Sequence, residues 1–296
     1  MPPLPPLDGV DPCRVVLPPG PWLQLGEFLL DHFPQVPEPH WRERLQTGRA
    51  VDGDGRQLYW QQPYRAGGEL HYYRELSDEV HIPFQEKILY QDEDLLVADK
   101  PHFLPVVPAG RFLRETLLVR LRQTTGIAEL TPLHRLDRLT AGLVLFSCRE
   151  ASRGAYVDLF RQRKIRKVYE AIAPLLSHQQ WPVVRHSRIV AGEPFFRMAE
   201  VEGVANAQTQ IALAAVLGSQ GRYRLEPLTG RKHQLRLHMA GLGVPICGDP
   251  LYPALQSEPA PDDFSTPMQL LAQVLEFTDP LSGQQRRFES LRALPG

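Results

Sequence analysis

The sequence predicts an α+β fold, in which helices pack on a sheet that contains both hairpins and crossovers. Helical and extended patterns alternate irregularly along the 296 residues, whereas a doubly wound parallel sheet would need a regular alternation. One stretch, "EKILYQDEDLLVADKP", indicates two strands joined by an acidic turn, which is a hairpin pattern. Another, "GLVLFS" at 142–147, is apolar throughout, as in a strand covered on both faces.

Residues 1–80 are predicted to form an arm and a small module. Residues 1–21 contain eight prolines, which favours an extended arm without a core of its own. Residues 22–80 hold two short helical patterns, a strand at Ala50–Val51, a turn and an aromatic strand. This order resembles the small alpha-L RNA-binding module of a ribosomal protein and several RNA-modifying enzymes. The form is degenerate, because the second helix carries fewer basic residues than that module normally has.

A break near Ser77–Pro83 is predicted to separate this module from a larger domain at 81–296. After the hairpin, "LRETLLVRLRQTTG" has a helical period, and the apolar strand follows. "EASRGAYVDLFRQRKI" is a helical pattern with a basic last turn, the end at which cations suit the helix dipole. "RKVYEAIA" and "RYRLEPL" indicate strands, and "GRKHQLRLHMAGLG" predicts a helix that ends at Gly241 or Gly243.

The composition is that of an ordinary globular chain, with 43% apolar and 23% charged residues. No apolar run approaches the roughly 20 residues that span a bilayer, and no signal peptide is recognisable at the N-terminus. A cytoplasmic protein without membrane contacts is therefore expected. Three widely spaced cysteines, Cys13, Cys148 and Cys247, include no CxxC pair, so they support neither a disulfide framework nor a zinc knuckle.

The net charge of −1 conceals a strong asymmetry along the chain. Between Lys100 and Pro250 there are 22 Lys and Arg against 11 Asp and Glu, a net charge of +11, and the remainder carries −12. A basic middle with acidic ends is expected of a surface that contacts phosphates. Scattered, solvated arginines would give the same count, so the charge alone leaves both interpretations open.

The first of three polar stretches that could carry chemistry is His134-Arg135-Leu136-Asp137. Asp137 lies between Arg135 and Arg138, directly before the apolar strand. In a cleft, burial would favour the neutral carboxyl group and the two arginines would favour the anion. A salt bridge that anchors the loop explains the pattern equally well.

The second stretch is Lys167-Val168-Tyr169, at the start of a predicted strand. Lys167 and Tyr169 have the same parity and therefore project from one face of the strand. A phenol beside a cation can stack on a base and take part in proton transfer. A half-buried strand tyrosine beside an extended lysine is the alternative.

The third stretch is "TGRKHQLRLH" at 229–238. On a helix, Lys232, His233 and Arg236 would share one face, which suits the binding of anions at the helix N-terminus. A metal site formed by His233, His238 and Asp249 is the alternative and is not expected, because the histidine spacing does not fall on one helical face. The sequence contains no GxGxxG after a strand, no P-loop and no GxSxG, so no cofactor is expected.

Together these stretches resemble the RluA-type RNA pseudouridine synthases. "HRLDRLTAGLVLF" is similar to the family's HRLDxxTSGLxxF signature, and "KVYEA" follows about 30 residues later, as KxYxA does. "LTGRKHQLRLHMAGLGVPICGDPLY" is similar to the LTGRTHQIR block, and the hairpin and "NAQTQIAL" also match, so the resemblance covers about 82–280. The departures are Ala141 for Ser, Lys232 for Thr and Gln210 for Tyr.

The resemblance implies a mixed, largely antiparallel sheet with a central cleft, and a conversion of uridine to pseudouridine. By position, Asp137 corresponds to the nucleophile, Tyr169 to the active-site tyrosine and Arg236 to the arginine that pairs with the nucleophile. Arg135 corresponds to a residue that fills the space of the flipped uridine. The remaining residues expected to bind the substrate are His134, Lys167, Arg231, Lys232, His233 and the basic helix end Arg161, Arg163, Lys164 and Arg166.

The expected partner is structured RNA, either ribosomal or transfer RNA, bound by a monomer without a metal ion. Two alternatives to an isomerase remain. One is a catalytically idle RNA-binding protein or RNA chaperone of the same fold, and the other is a metal-dependent hydrolase. Release of tritium from uracil-labelled RNA would distinguish the first from an active enzyme, and sensitivity to EDTA would identify the second.

Overall fold

The computed structural model describes residues 3–76, 79–257 and 260–295. In chain order, its elements are β1 (Cys13–Val16), α1 (Leu25–His32), α2 (Glu38–Gln46), β2 (Ala50–Val51), β3 (Glu69–Tyr72), β4 (Lys87–Gln91), β5 (Leu95–Lys100), α3 (Leu117–Thr125), β6 (Thr131–Pro132), β7 (Ala141–Ser147), α4 (Glu150–Arg161), β8 (Arg166–Pro174), β9 (Val183–Ala191), β10 (Met198–Val201), β11 (Ala207–Leu217), β12 (Gln220–Pro227), α5 (Gln234–Gly241), β13 (Leu270–Thr278) and β14 (Gln285–Glu289). The predicted α+β class is confirmed.

The N-terminal part is a three-stranded sheet, β1-β3-β2, packed against α1 and α2. Trp41 and Leu70 are fully buried between the helices and the sheet. β1 lies within the proline-rich residues 1–21 and pairs with β3, so this segment contributes a strand to the small sheet. The break expected near Ser77–Pro83 falls partly outside the described residues, and the division of the chain at 21/22 and 80/81 remains a prediction.

The large sheet has eleven strands in the order β10-β9-β11-β12-β8-β13-β7-β5-β4, with β14 paired to β13 and β6 paired to β7. Among the described strands, β13 and β7 are the parallel pair, over Leu271–Ala272, and the other pairs are antiparallel. The expected mixed, largely antiparallel sheet is confirmed.

Gly142 allows the two halves of the large sheet to meet. Its φ of +110° lies in the region that favours glycine, and a Cβ atom there would lie 2.2 Å from the carbonyl oxygen of Ala272. Any side chain would therefore push β7 away from β13. Because the loop that carries Asp137 ends directly before β7, this close approach also fixes the position of that loop.

Helices cover both faces of the large sheet. Val144 and Phe146 of β7 pack towards α3, whereas Leu143 and Leu145 pack towards α4. The strand predicted from "GLVLFS" is thus covered on both faces, as expected. α5 packs on β8, β11 and β12 through a separate cluster that includes Met239.

The structure corrects one helix boundary. The sequence predicts a helix from the start of the pattern "GRKHQLRLHMAGLG", but α5 begins at Gln234. Lys232 and His233 precede the helix, and His233 has a φ of +57°. The helical face predicted for Lys232, His233 and Arg236 is therefore wrong. In the described part of the chain, no helix has the length and apolar character needed to span a membrane.

Candidate active site

A cleft of about 890 Å³ lies over the middle of the large sheet. Its walls come from the β6–β7 loop, β8, the end of α4, the β12–α5 loop and residues 105–112. Eleven residues proposed from the sequence line it: Asp137, Tyr169, Arg236, His134, Arg135, Lys167, Arg231, Lys232, His233, Arg161 and Arg163. Lys164 and Arg166 do not line it. Three stretches that are far apart in sequence therefore meet at one site.

The loop that carries Asp137 is fixed by hydrogen bonds to the backbone of Asp137 and of the residues directly after it. The Thr140 N–H donates to the carbonyl oxygen of Asp137 at 3.0 Å, which closes a turn. Lys100 Nζ donates to the carbonyl oxygen of Arg138 at 3.2 Å, and His102 Nδ1 donates to that of Leu139 at 2.7 Å. The carboxylate is therefore presented from a rigid turn.

Lys100 is fully buried, and its Nζ atom donates hydrogen bonds to the backbone around this loop. Its Nζ also donates to the carbonyl oxygens of Pro101, at 3.0 Å, and Leu104, at 2.7 Å. Burial lowers the pKa of Lys100, while the negative charge of Asp137 acts in the opposite direction. Lys100 is not among the site residues predicted from the sequence, although it stands at the end of the predicted hairpin.

Arg236 joins Asp137 to a second carboxylate. Its Nη1 donates to Asp137 Oδ2 at 3.1 Å, while Nε and Nη2 donate to the two oxygens of Asp249 at 2.7 and 2.6 Å. The side chain of Asp137 is 32% exposed, whereas those of Arg236 and Asp249 are 3% and 1% exposed. Burial alone would lower the pKa of Arg236, but the hydrogen bonds and charges of the two carboxylates raise it.

Tyr169 and Lys167 project from β8 into the cleft, as their common parity predicts. Burial raises the pKa of Tyr169, and the negative charge of Asp137 raises it further, so the hydroxyl group stays protonated. Burial and the nearby charge of Arg163 lower the pKa of Lys167. The phenol is thus a proton donor beside the carboxylate at neutral pH.

Two histidines in the cleft are neutral. The Leu145 N–H donates to His134 Nε2 at 3.1 Å, and burial lowers the pKa of His134 to about 3. His233 Nε2 lies 3.8 Å from Asp137 Oδ2, and its Nδ1 forms a 2.8 Å hydrogen bond with the Tyr252 hydroxyl group. Burial lowers the pKa of His233 to about 4, against the raising effect of Asp137.

The β12–α5 loop is held by Gln234, the first residue of α5. Its Oε1 accepts hydrogen bonds from the Thr229 hydroxyl group at 2.7 Å and the Arg231 N–H at 3.0 Å. Its Nε2 donates to the carbonyl oxygen of Gln208 and to Thr209 Oγ1. These bonds explain why the helix begins at Gln234: the preceding residues turn back over the cleft instead of winding into α5.

The mouth of the cleft is basic. Arg135, Arg161, Arg163 and two residues of the β12–α5 loop, Arg231 and Lys232, are exposed on it. Asp137 is the one acid among the described residues that line the cleft. A polyanion would therefore meet positive charge at the rim and a single carboxylate inside.

Arg166 lies on the other face of β8. Its guanidinium group donates to Glu226 at 3.0 Å and to Glu276 at 2.6 Å. Because successive side chains of a strand alternate between faces, Arg166 cannot share the face of Lys167 and Tyr169. The expectation that Arg166 belongs to the same substrate-facing surface as Arg161 and Arg163 is not supported by this placement.

The three residues considered as metal ligands have separate partners. His238 bonds to Ser187 and Thr209, His233 bonds to Tyr252, and Asp249 accepts from Arg236. Within residues 3–76, 79–257 and 260–295, no group of three or more His, Cys, Asp or Glu side chains is arranged to hold a metal ion.

A carboxylate at the base of a cleft, paired with a guanidinium group and partly exposed, can act as a nucleophile. The neighbouring phenol can transfer a proton. With positive charge around the mouth, the arrangement suits a covalent reaction on one unit of a polyanionic chain.

Comparison with known proteins identifies the family. The model of RNA pseudouridylate synthases matches residues 94–241, which is half of the chain. The chain is 32% identical to an uncharacterized RNA pseudouridine synthase of Synechocystis, over 72% of this chain and 73% of that protein. It is 34% identical to the dual-specificity RNA pseudouridine synthase RluA of Haemophilus influenzae, over 69% of this chain and 91% of that protein.

A solved structure agrees with these matches. The human RNA pseudouridylate synthase domain containing 4 superposes with a TM-score of 0.52 and 28% identity, over 70% of this chain and 88% of that one. Asp249 and Tyr252 lie beyond the residues matched by the family model. The chain belongs to the RNA pseudouridine synthase family, whose members are isomerases.

Proposed function

We propose that this chain isomerises uridine to pseudouridine in structured RNA, ribosomal or transfer RNA, with Asp137 as the nucleophile. The observation that carries the assignment is the 3.1 Å contact between Arg236 Nη1 and Asp137 Oδ2, the one acid among the described residues of a basic cleft. A nucleophilic carboxylate must be ionised, and Arg236 favours the anion.

The reaction rearranges one nucleotide without loss of atoms. The bond between N1 of uracil and C1′ of the ribose breaks, the uracil turns within the cleft, and its C5 bonds to C1′. The proton on C5 leaves and N1 gains a proton, so no oxidant or reductant is needed. Asp137 attacks the sugar or first helps to remove a proton from it, and in both cases it must be the anion.

Tyr169 and Arg135 have separate roles in this proposal. The ring of Tyr169 stacks against the uracil, and its hydroxyl group serves in proton transfer. Arg135, exposed at the mouth of the cleft, fills the space that the target nucleotide leaves. Moving the uridine out of its stack costs a few kcal/mol, which is least in a loop or another unpaired region.

The basic mouth is proposed to bind the phosphates on either side of the target. The exposure of Arg161, Arg163, Arg231 and Lys232 at the mouth supports this role. Lys164, which is also exposed, is proposed to contribute to it. His134 and Lys167 complete the wall beside the base, and His233 stands next to Asp137. One relative, 30% identical over 56% of this chain, is named as a mitochondrial tRNA pseudouridine(32) synthase of yeast, which supports transfer RNA as one candidate substrate. A monomer in the cytoplasm remains a prediction.

Tritium release from RNA labelled at C5 of uracil tests the proposal, because C5 loses its hydrogen only if it bonds to the sugar. Asp137→Asn is isosteric and removes the charge alone, so we expect turnover below about 1% of the unsubstituted protein, with unchanged melting temperature and RNA affinity. Asp54→Asn, which removes an exposed carboxylate in the N-terminal module, is the matched control. Activity of Asp137→Asn above that level would remove Asp137 from the role of nucleophile.

A further inference from the structure

We propose that Asp249 is a positioning residue for the reaction: it fixes Arg236 and takes up most of its charge, so that Asp137 is held by a single contact. This inference rests on the proposed role of Asp137. Asp249 lies in the block "GVPICGDPLY" that resembles the family's, but no role was inferred for it from that resemblance.

The guanidinium group is shared unequally between the two carboxylates. Asp249 receives two short bonds, at 2.7 and 2.6 Å, in a buried, bidentate arrangement. Asp137 receives one longer bond, at 3.1 Å, on its partly exposed side chain. Charge-assisted bidentate bonds between buried groups are the stronger ones. Arg236 is thus anchored by Asp249 and directed by it towards Asp137.

Asp249 is itself fixed by the backbone that follows it. Its Oδ1 accepts hydrogen bonds from the N–H groups of Leu251, at 2.8 Å, and Tyr252, at 3.2 Å. The Tyr252 hydroxyl group binds His233 Nδ1, and the Arg236 guanidinium group lies over the Tyr252 ring at 5.3 Å. One turn of chain therefore contacts both Arg236 and His233, two groups that lie within 4 Å of the Asp137 carboxylate.

The division of charge has a chemical consequence. A nucleophile must stay ionised, but a full bidentate ion pair would hold its oxygens and oppose their movement to the sugar. One cation shared between two carboxylates, with the tighter pairing on the buried one, keeps Asp137 ionised and leaves one oxygen, Oδ1, without a bond to Arg236.

Asp249→Asn tests this inference. The amide cannot accept two bonds from Arg236 without opposing N–H groups, so the guanidinium group should shift, and we expect kcat to fall about a hundredfold with the Kd for RNA unchanged within about twofold. Loss of the negative charge also removes the carboxylate that competes for Arg236, so the shifted guanidinium group should turn towards Asp137 and favour its anion more strongly. The acid limb of the pH profile of kcat should therefore move to lower pH, which a merely structural role would not cause.

Two further variants separate this effect from simple destabilisation. Asp279→Asn is the control, since Asp279 is equally buried and accepts hydrogen bonds from Tyr156 and from backbone N–H groups, but lies in the β13–β14 turn outside the cleft. It should change the melting temperature without changing kcat. Asp249→Glu keeps the charge but displaces it by one methylene group, so kcat should fall without a shift of the acid limb.

A kcat of Asp249→Asn within about threefold of the unsubstituted protein, or a loss of kcat with an unmoved acid limb, overturns the inference. If Asp249→Asn does not fold, Asp249→Glu decides through its kcat at normal melting temperature: a loss supports the inference and an unchanged value overturns it. Activity in Asp137→Asn would instead contradict the proposed nucleophile, whatever the Asp249 variants show.

Discussion

Arg166 and Lys167 are neighbours on β8, yet their side chains serve opposite faces of the sheet. Lys167 lines the cleft, whereas Arg166 is bound by Glu226 and Glu276 on the other face. The positive charges of these two adjacent residues therefore lie on opposite faces of the sheet. Arg161, Arg163 and Lys167 line the cleft that RNA would enter, whereas the charge of Arg166 is paired with glutamates on the other face.

The first prediction tests this separation of positive charge between the two faces of the sheet. Replacing Arg161 and Arg163 by Ala should weaken RNA binding similarly for all sequences and reduce the slope of log Kd against log salt by about one for each phosphate that is no longer bound. Replacing Arg166 and Arg287 by Ala removes the same charge from the opposite face, where both are paired with Glu276. That control should leave the slope unchanged. Equal slopes for the two double variants would place the phosphates elsewhere.

The second prediction concerns Tyr169. Tyr169→Phe keeps the ring and removes the hydroxyl group, so binding should change by less than about twofold while turnover falls by about a hundredfold or more, the usual contribution of a proton-transfer group. Tyr90→Phe is the control, because the Tyr90 hydroxyl group binds Asp92 on the hairpin and lines no part of the cleft. Filter binding and tritium release give the two quantities. A normal turnover for Tyr169→Phe would leave the tyrosine with a stacking role alone.

The third prediction concerns Arg236. Arg236→Leu leaves the buried Asp249 without its cation, so we expect about 3–5 kcal/mol less free energy of unfolding, as for other broken buried pairs. The double variant Arg236→Leu, Asp249→Leu removes both charges and should regain part of this loss, since the N–H groups of Leu251 and Tyr252 still lose their acceptor. It should remain inactive near neutral pH, because Asp137 is then without its guanidinium partner. Any residual activity should have its acid limb at higher pH, because the Arg236 guanidinium group no longer favours the anion of Asp137.

Urea unfolding and tritium release of the two Arg236 variants check this. An Arg236→Leu variant as stable as the unsubstituted protein would contradict the buried pair. A double variant with restored activity would show that Arg236 acts on stability alone.

The sequence was sufficient for elements whose signal is local. The β4–β5 hairpin, β7, α4 and β8 are found where their patterns predict them, because the alternation or the apolar run lies within the element. β9, β10, β13 and β14 were not predicted. β9–β10 and β13–β14 are pairs of consecutive strands. The position of β13 between β7 and β8 depends on partners far along the chain, and no local pattern indicates it.

The site shows the same limit at the level of single residues. Asp137, Tyr169 and Arg236 were identified from motif positions, and they line one cleft. Asp249 was matched to the family's block and weighed as a metal ligand, but its pairing with Arg236 was not predicted, because that contact forms only when the chain folds back after α5. The helical period likewise could not indicate that the Gln234 side chain binds the preceding loop and delays the start of α5.

The last prediction concerns stability and pH. Burial lowers the pKa of His134 to about 3 and those of His233 and His238 to about 4, from an ordinary value of 6.5. Above pH 6.5 these histidines are neutral in both the folded and the unfolded chain. Between pH 6.5 and 5 the unfolded chain binds protons that the folded chain does not, so the free energy of unfolding falls as the pH falls.

The size of this loss can be measured by urea unfolding at closely spaced pH values. Each histidine should cost on the order of 2 kcal/mol by pH 5, a range in which carboxylates in the unfolded chain are still largely ionised. His238→Gln should reduce this dependence, because its buried ring then no longer takes up a proton on unfolding. His134, His233 and His102, whose pKa burial also lowers, should account for the rest. His178→Gln, at an exposed turn position, should leave it unchanged. A free energy of unfolding that is constant from pH 7 to 5 would mean that the buried histidine rings become protonated in the folded protein. The neutral state assigned to His233, which lies beside Asp137, would then be wrong.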